Sequence, residues 1–394
     1  MNRQQGMTLV ELLVSLTIVL IVLGTASMAY LKLLKGYKSQ GKIAQNYMAN
    51  LTGLEMLRYD VEMAGFGLPS DMNGMTYSEA ASGACSYDTG SALNDAPVGV
   101  PKPFAARDNS GPNGSDVLTI KSSVANINPT SRKSSMVMYG TPPTVKQWGR
   151  TDLDFSADGN GDKLVMLSRD GKLLVNGGGT TWTPATFTGT DATSLVSSLM
   201  MTARDVYFLY GLDSDAVHRM PFNRVDYYLD KVAGQFPSSC AASTYTLYRA
   251  VISQADGRPD PVPLLDCVRD FQVAFGLDTD TNQSVDQWTK DLGTMTAANI
   301  RLKVREVRIF VLVQEGMGDI GKSAGFRFSG FLHLGDQEIA NSVDSANYPS
   351  NTFLTWSQTA LPGSGYLSKW TPTDADVQYR WKVLQLAVKP LNLK

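Results

Sequence analysis

The chain has 394 residues, long enough for one large domain or two ordinary ones, and its 43% hydrophobic content supplies a packed core, which excludes a disordered tail. With 35 Lys and Arg against 37 Asp and Glu, the net charge of −2 provides no global field to hold nucleic acid. The 35 Gly and 18 Pro scattered between short apolar runs imply many turns, and only the first apolar segment reaches membrane length.

That segment opens the chain. After the short leader ending in Gly6, the sequence runs Met7-Thr8-Leu9-Val10-Glu11 and then carries no charge until Lys32, about 20 residues, the span of a bilayer core crossed as a helix. A carboxylate inside such a segment costs on the order of 2.5 kcal/mol or more near the bilayer centre, so Glu11 calls for a partner or a function. A secretory signal is cut after its apolar core. Here the Gly precedes the core, and a cut after Gly6 would keep the apolar segment on the mature protein. This arrangement resembles the class III signal of type IV pilins and type II secretion pseudopilins. Met7 stands where that family more often has Phe.

Beyond Lys32 the apolar residues Leu34, Tyr37, Ala44, Met48, Leu51, Leu54, Leu57, Val61 and Ala64 recur at helical spacing. The first proline after the leader is Pro69, so one helix from about Thr8 to about Ala64, roughly 85 Å long, is expected. Gly24, Gly36, Gly41 and Gly53 are its weak points, serving either close packing or local unwinding. The helix stops at Ala64-Gly65-Phe66-Gly67-Leu68-Pro69. With Arg58-Tyr59-Asp60 before it, this end resembles that of the PilW group of minor pilins. Residues 66–115, rich in Gly, Ser, Pro, Asn and Asp, read as a loop-rich connection.

From residue 116 onward the runs at 117–120, 164–167, 173–175, 206–210, 225–229, 245–252, 268–277, 302–313 and 379–388 carry β-branched and aromatic residues between turns such as Asp170-Gly171, and predict antiparallel sheet. Residues 177–193 read as a polar loop and 194–201 as a short helix. Helix first and strands after give an α+β fold: a long N-terminal helix packed on a large antiparallel β body. The expected division is 1–6 leader, 7–31 membrane half of the helix, 32–65 amphipathic half, 66–115 connection and 116–394 β-rich body. The segments Val225-Asp226-Tyr227-Tyr228, Leu247-Tyr248-Arg249, Gly276-Leu277-Asp278, Val304-Arg305-Glu306 and Tyr379-Arg380-Trp381 extend the PilW resemblance through the body.

Cys85, Cys240 and Cys267 lack metal-binding spacing. Outside the cytoplasm a disulfide is permitted. Cys240 and Cys267 flank the strand at 245–252, so they are expected to pair and leave Cys85 free. Residues 316–323 match a phosphate-loop string, Gly316 to Lys322-Ser323, but the glycine-broken run that follows argues against the helix such a loop requires. Gly321 to Gly325 matches a hydrolase elbow string with the same defect, and His218 and His333 stand alone in the sequence. No catalytic constellation emerges, and no enzyme activity is expected. Asp278, Asp280, Asn282 and Asp286 alternate as oxygen donors suited to calcium, and Asp158, Asn160 and Asp162 form a shorter version. The longer loop departs from the EF-hand pattern, with Gln283 at the glycine position and Thr289 at the glutamate position. Calcium is therefore the one cofactor to be tested.

The resemblance implies a minor pilin that is cleaved after Gly6 and N-methylated on Met7 by prepilin peptidase. It also implies a single-pass inner-membrane protein with a periplasmic body, later extracellular in the pilus. Its implied partners are other minor pilins and the major pilin, with Glu11 acting in assembly and no nucleic acid involved. A type II secretion pseudopilin, a tethered adhesin and a tethered enzyme are the alternatives.

Overall fold

The computed structural model describes residues 8–81, 93–138, 142–155, 161–175, 179–187, 192, 205–213, 217–232, 234, 236–316, 332–334, 368–373, 375–377 and 379–393. Helix α1 runs from Leu9 to Glu62, 54 residues, as the absence of proline and the sustained apolar spacing predict. Its Leu9–Lys38 stretch is long and apolar enough to cross a membrane, and every side chain described in it is exposed. The last turns, in contrast, carry Leu57 and Val61 into the core, and the turn that follows carries Ala64, all with no exposed surface.

Two antiparallel sheets form most of the described body. The larger takes β1 (Phe104–Arg107), β2 (Val117–Ser122), β8 (Asn223–Asp230), β9 (Tyr245–Ile252), β10 (Pro259–Leu277), β12 (Val304–Glu315) and β15 (Arg380–Val388), hydrogen-bonded in that order, with β11 (Gln287–Thr289) on the end of β10. The smaller is ordered β4 (Thr144–Val145), β3 (Ser134–Met138), β7 (Tyr207–Gly211), β5 (Asp162–Ser168), β6 (Ala185–Phe187). A pair, β13 (Leu332–Leu334) with β14 (Ser368–Trp370), a short helix α2 (Ala297–Lys303) and two single 3-10 turns, Pro112–Gly114 and Pro129–Arg132, complete the described elements.

Side chains alternate along each strand, and the alternation divides the larger sheet into two unlike faces. One face sends Leu118, Ile120, Val225, Tyr227, Phe271, Val273, Ile309 and Val311 into the core beneath Leu57 and Val61 of α1. Helix and sheet approach closely at Gly53, where an added Cβ would lie 2.8 Å from the Leu264 carbonyl oxygen. The chain's last residues return to this junction: the Leu391 amide donates to the Glu62 carbonyl at 2.9 Å, and Leu393 is buried beside it.

Three differences from expectation have physical causes. Phe104–Arg107 is an edge strand inside the expected connection, paired in register with Val117–Ile120, and its Phe104 is fully buried. Strand β10 begins at Pro259, although Pro261 and Pro263 interrupt the hydrophobic pattern. That half pairs with β9, while pairing with β12 starts only at Val268, so the missing proline amides cost no ladder bond on the open edge. Residues Leu302 and Lys303, read as strand, end α2, whose Thr296 hydroxyl accepts the Asn299 amide as a cap. The expected loop and helix at 177–201, and Asp158 and Asn160 of the shorter acidic series, lie largely or wholly outside the described residues.

Candidate functional site

At the head of α1, Thr8 is the N-cap and Glu11 the third helical residue. The Thr8 hydroxyl accepts the Glu11 amide at 3.3 Å, while Glu11 Oε2 accepts the Thr8 amide at 2.9 Å and its hydroxyl at 3.0 Å. This capping box satisfies two of the amides that a helix start leaves unpaired. It engages one carboxylate oxygen; Oε1 has no partner among the described residues. The spacing of Thr8 and Glu11 is the signature of such a box, a signal present in the sequence beside the more conspicuous charge. Gly6 and Met7 lie outside the described residues.

The other end of α1 is held by a buried polar seam. Asp60 Oδ2 accepts from the Tyr227 hydroxyl at 2.6 Å and from Arg249 Nε at 2.7 Å, and all three residues are buried. Burial first, then the Asp60 charge, pushes the Tyr227 phenol well above its ordinary pKa, so it remains a donor. The three residues come from three segments separately quoted for the PilW resemblance, and β8 and β9, being neighbours, bring Tyr227 and Arg249 to one spot beneath the helix.

Two further quoted segments meet at the acidic loop. Asp278, Asp280 and Asp286 bring carboxylate oxygens within 4.8 Å of one another. Arg305 Nε and Nη2 each lie 3.0 Å from Asp278 Oδ2. Asp278 also accepts the Asn282 amide at 3.1 Å and the Gln283 amide at 2.9 Å, and Asp286 accepts the Thr279 amide at 2.8 Å. The donors suit a calcium ion in type, but such an ion would share Asp278 with Arg305. Gln283, at the position an EF-hand gives to glycine, has φ +70°, the left-handed conformation that glycine would take. Asp162 of the shorter acidic series is instead paired with Lys133 at 2.9 Å.

Cys240 and Cys267 form a disulfide, with Cα atoms 5.0 Å apart. The β9–β10 hairpin accounts for this: Tyr245 at the start of β9 pairs with Val268, which sets the segment before β9 beside Cys267. Cys85, Ser323 and all but Gly316 of the phosphate-loop string lie outside the described residues. His218 is partly buried with its Nε2 3.3 Å from the Asp213 carbonyl, and His333 lies on β13.

Sequence reasoning missed the role of Glu79, Lys121 and Arg224. Lys121 Nζ lies 2.7 Å from both Glu79 Oε2 and Asp95 Oδ2, and Arg224 lies 3.1 Å from Glu79 while gripping Asp226 with two bonds of 2.9 Å. This network is buried on the face of the larger sheet away from α1, between β2, β8 and the segment that contains Glu79 and Asp95.

Residues 1–27 match the prokaryotic N-terminal methylation motif, and residues 226–325 match the type IV pilus-assembly protein W family, PilW. No curated protein matches the chain. A type IV-like pilin from Thermus thermophilus is similar in structure at 15% identity, with 45% of this chain and 70% of that one covered and a TM-score of 0.22. The PilW match runs from Asp226 of β8 through β12, so it contains Tyr227 and Arg249 of the helix seam and Asp278 and Arg305 of the acidic loop. With the methylation motif at its N-terminus and the PilW region in its β body, the chain is similar to PilW-like type IV pilins at both ends of its architecture.

Proposed function

We propose that this chain is a minor pilin, a structural subunit that helps prime assembly of a type IV pilus. The observation that carries the reading is the joining of two features: a methylation motif heading a helix whose apolar first half has its described side chains exposed, and a PilW region that grips the other end of that helix. Before assembly, lipid is the environment that suits those exposed apolar residues, and in a filament the helices of neighbouring subunits replace it. Prepilin peptidase would cut after Gly6 and methylate Met7, leaving a positive amine near Glu11. In low dielectric that amine and the carboxylate of a neighbouring subunit attract strongly, although desolvation offsets much of the gain. Oε2 serves the subunit's own helix cap, which leaves Oε1 for the amine of the neighbour. Major and minor pilins are the partners in this scheme.

The test has two parts. Mass spectrometry of membrane-extracted protein should give a mature N-terminus at methylated Met7; an intact leader on assembled material would overturn the reading. Glu11→Leu should insert and be cleaved normally, while the fraction recovered in sheared pili falls about tenfold or more, the weight of one buried charge pair. Normal incorporation would remove Glu11 from assembly.

A further inference from the structure

We propose that the cleft at the C-terminal end of α1 is a docking site for a short acidic segment of a partner subunit, an apolar side chain next to a carboxylate. The cleft has a volume of about 820 Å³ and opens between the helix end, the β5 and β7 strands, α2 and the chain's last residues. That volume holds a ligand of a few residues rather than a whole helix. Part of its wall is apolar: Phe66 and Tyr210 pack edge to face at 5.2 Å, Phe208 lies two residues along the same strand from Tyr210, and Leu302 and Leu391 are 50% and 66% exposed, while Ser70, Thr296 and Asn392 add polar lining. Exposed leucines around an aromatic floor are the composition of a contact surface.

Arg301 sets the sign of the partner. It lines the cleft and is partly buried, and that burial lowers the pKa of its guanidinium from the ordinary value. Nη2 donates to the Leu68 and Pro69 carbonyls at 3.4 and 2.9 Å, but among the described residues no carboxylate pairs with it and its Nε and Nη1 donors have no partner. The other charges lining the cleft, Arg169 and Asp170, are both exposed and of opposite sign. Arg301 is therefore the uncompensated charge, and a partly desolvated guanidinium with open donors is best satisfied by a carboxylate that it can meet with two parallel bonds. The aromatic and leucine part of the wall calls for an apolar side chain next to that carboxylate. This inference rests on the subunit reading above for the source of the segment, and names the chemistry by which a partner is recognised.

The test uses the full chain in detergent micelles and two fluorescent peptides, acetyl-Leu-Glu-Phe-amide and its glutamine analogue, read by anisotropy. The acidic peptide is expected to bind about tenfold more tightly than the neutral one, as a charge-assisted contact provides. That preference should vanish in Arg301→Gln, which keeps a donor for the Leu68 and Pro69 carbonyls, and persist in Arg301→Lys and Arg169→Gln. Leu302→Asp should weaken both peptides. Equal binding of the two peptides, no binding of either up to millimolar concentration, or a preference that survives Arg301→Gln would overturn the proposal. Because binding is read on the purified chain and incorporation in cells, a failure here leaves the Glu11 result standing, and the reverse holds as well.

Discussion

Asp278 has no exposed side-chain surface, yet it is kept charged. Burial alone would raise its pKa, but Arg305 and the Gln283 and Thr281 amides outweigh that and hold it below the ordinary carboxylate value. Asp286 is likewise raised by desolvation and lowered further by the Thr279 and Asp280 contacts, for a net depression. A carboxylate whose folded pKa is depressed stabilises the fold above its unfolded pKa, about 3.9, and loses that contribution as pH falls through the folded value. The loop should therefore contribute fully at pH 5 and above and open only below about pH 4. Since Arg305 and backbone amides already satisfy the carboxylates, the acid profile is expected to be the same in EGTA and in millimolar calcium, followed by tryptophan fluorescence. A calcium-dependent shift that Asp286→Asn abolishes would instead make the loop a metal site. The alternation of oxygen donors was legible in the sequence because turn residues cluster locally. Arg305 as their counter-ion was not, since 27 residues and a strand separate it from Asp278.

At the scale of elements, α1 shows how one helix serves two environments. Its membrane-like half, its amphipathic half and its stop were all readable, because helical periodicity and proline spacing are local properties of the chain. What the glycines do was open between packing and unwinding, and the structure separates them by position. An added Cβ at Gly24, Gly36 or Gly41 meets nothing within 4 Å, whereas at Gly53 it meets the Leu264 carbonyl at 2.8 Å and Leu265 at 3.0 Å. Gly53→Leu should therefore push the helix off β10 and destabilise the body by about 1–3 kcal/mol, the usual cost of overpacking. Gly24→Leu should leave its Tm unchanged. Asp60→Ala belongs with Gly53, since it would leave Arg249 and the Tyr227 hydroxyl buried without their acceptor, at a cost of about 3–5 kcal/mol. Thermal melts of the three variants check this; equal Tm values for Gly53→Leu and Gly24→Leu would show that the helix does not depend on close approach to β10.

For the molecule as a whole, the hidden part of the architecture is the outer face of the larger sheet. Along β2 the sequence alternates so that Thr119 and Lys121 oppose Leu118 and Ile120, and a charged residue on the face away from the core reads as solvent-exposed. In fact Lys121 and Arg224 have no exposed side-chain surface, because the Gly- and Ser-rich segment after α1 folds back over that face. Glu79 anchors it: Oε2 meets both cations, while Oε1 accepts the Asp95 and Ala96 amides at 2.7 and 3.1 Å. No local pattern announces such a contact, since Glu79 is 42 residues from Lys121 and 145 from Arg224, and its low-complexity surroundings favour a loop reading. Replacing one member of a buried ion network leaves its partners charged and unsolvated, which costs more than the pair contributes when intact. Lys121→Met keeps the chain length and the apolar stem but leaves Asp95 without its buried partner, so a loss of about 3–5 kcal/mol is expected. The double variant Lys121→Met with Asp95→Asn should recover part of it, because the carboxylate left with only the more distant Lys102 ammonium, 3.9 Å away, is then neutral. Hydrogen exchange locates the effect: the Asp95 and Ala96 amides should exchange faster in Lys121→Met, while those of Phe271 and Val273 on the central strand keep the protection of the whole fold. If stability and the exchange of Asp95 and Ala96 were both unchanged, Lys121 would not be what fastens this segment to the sheet.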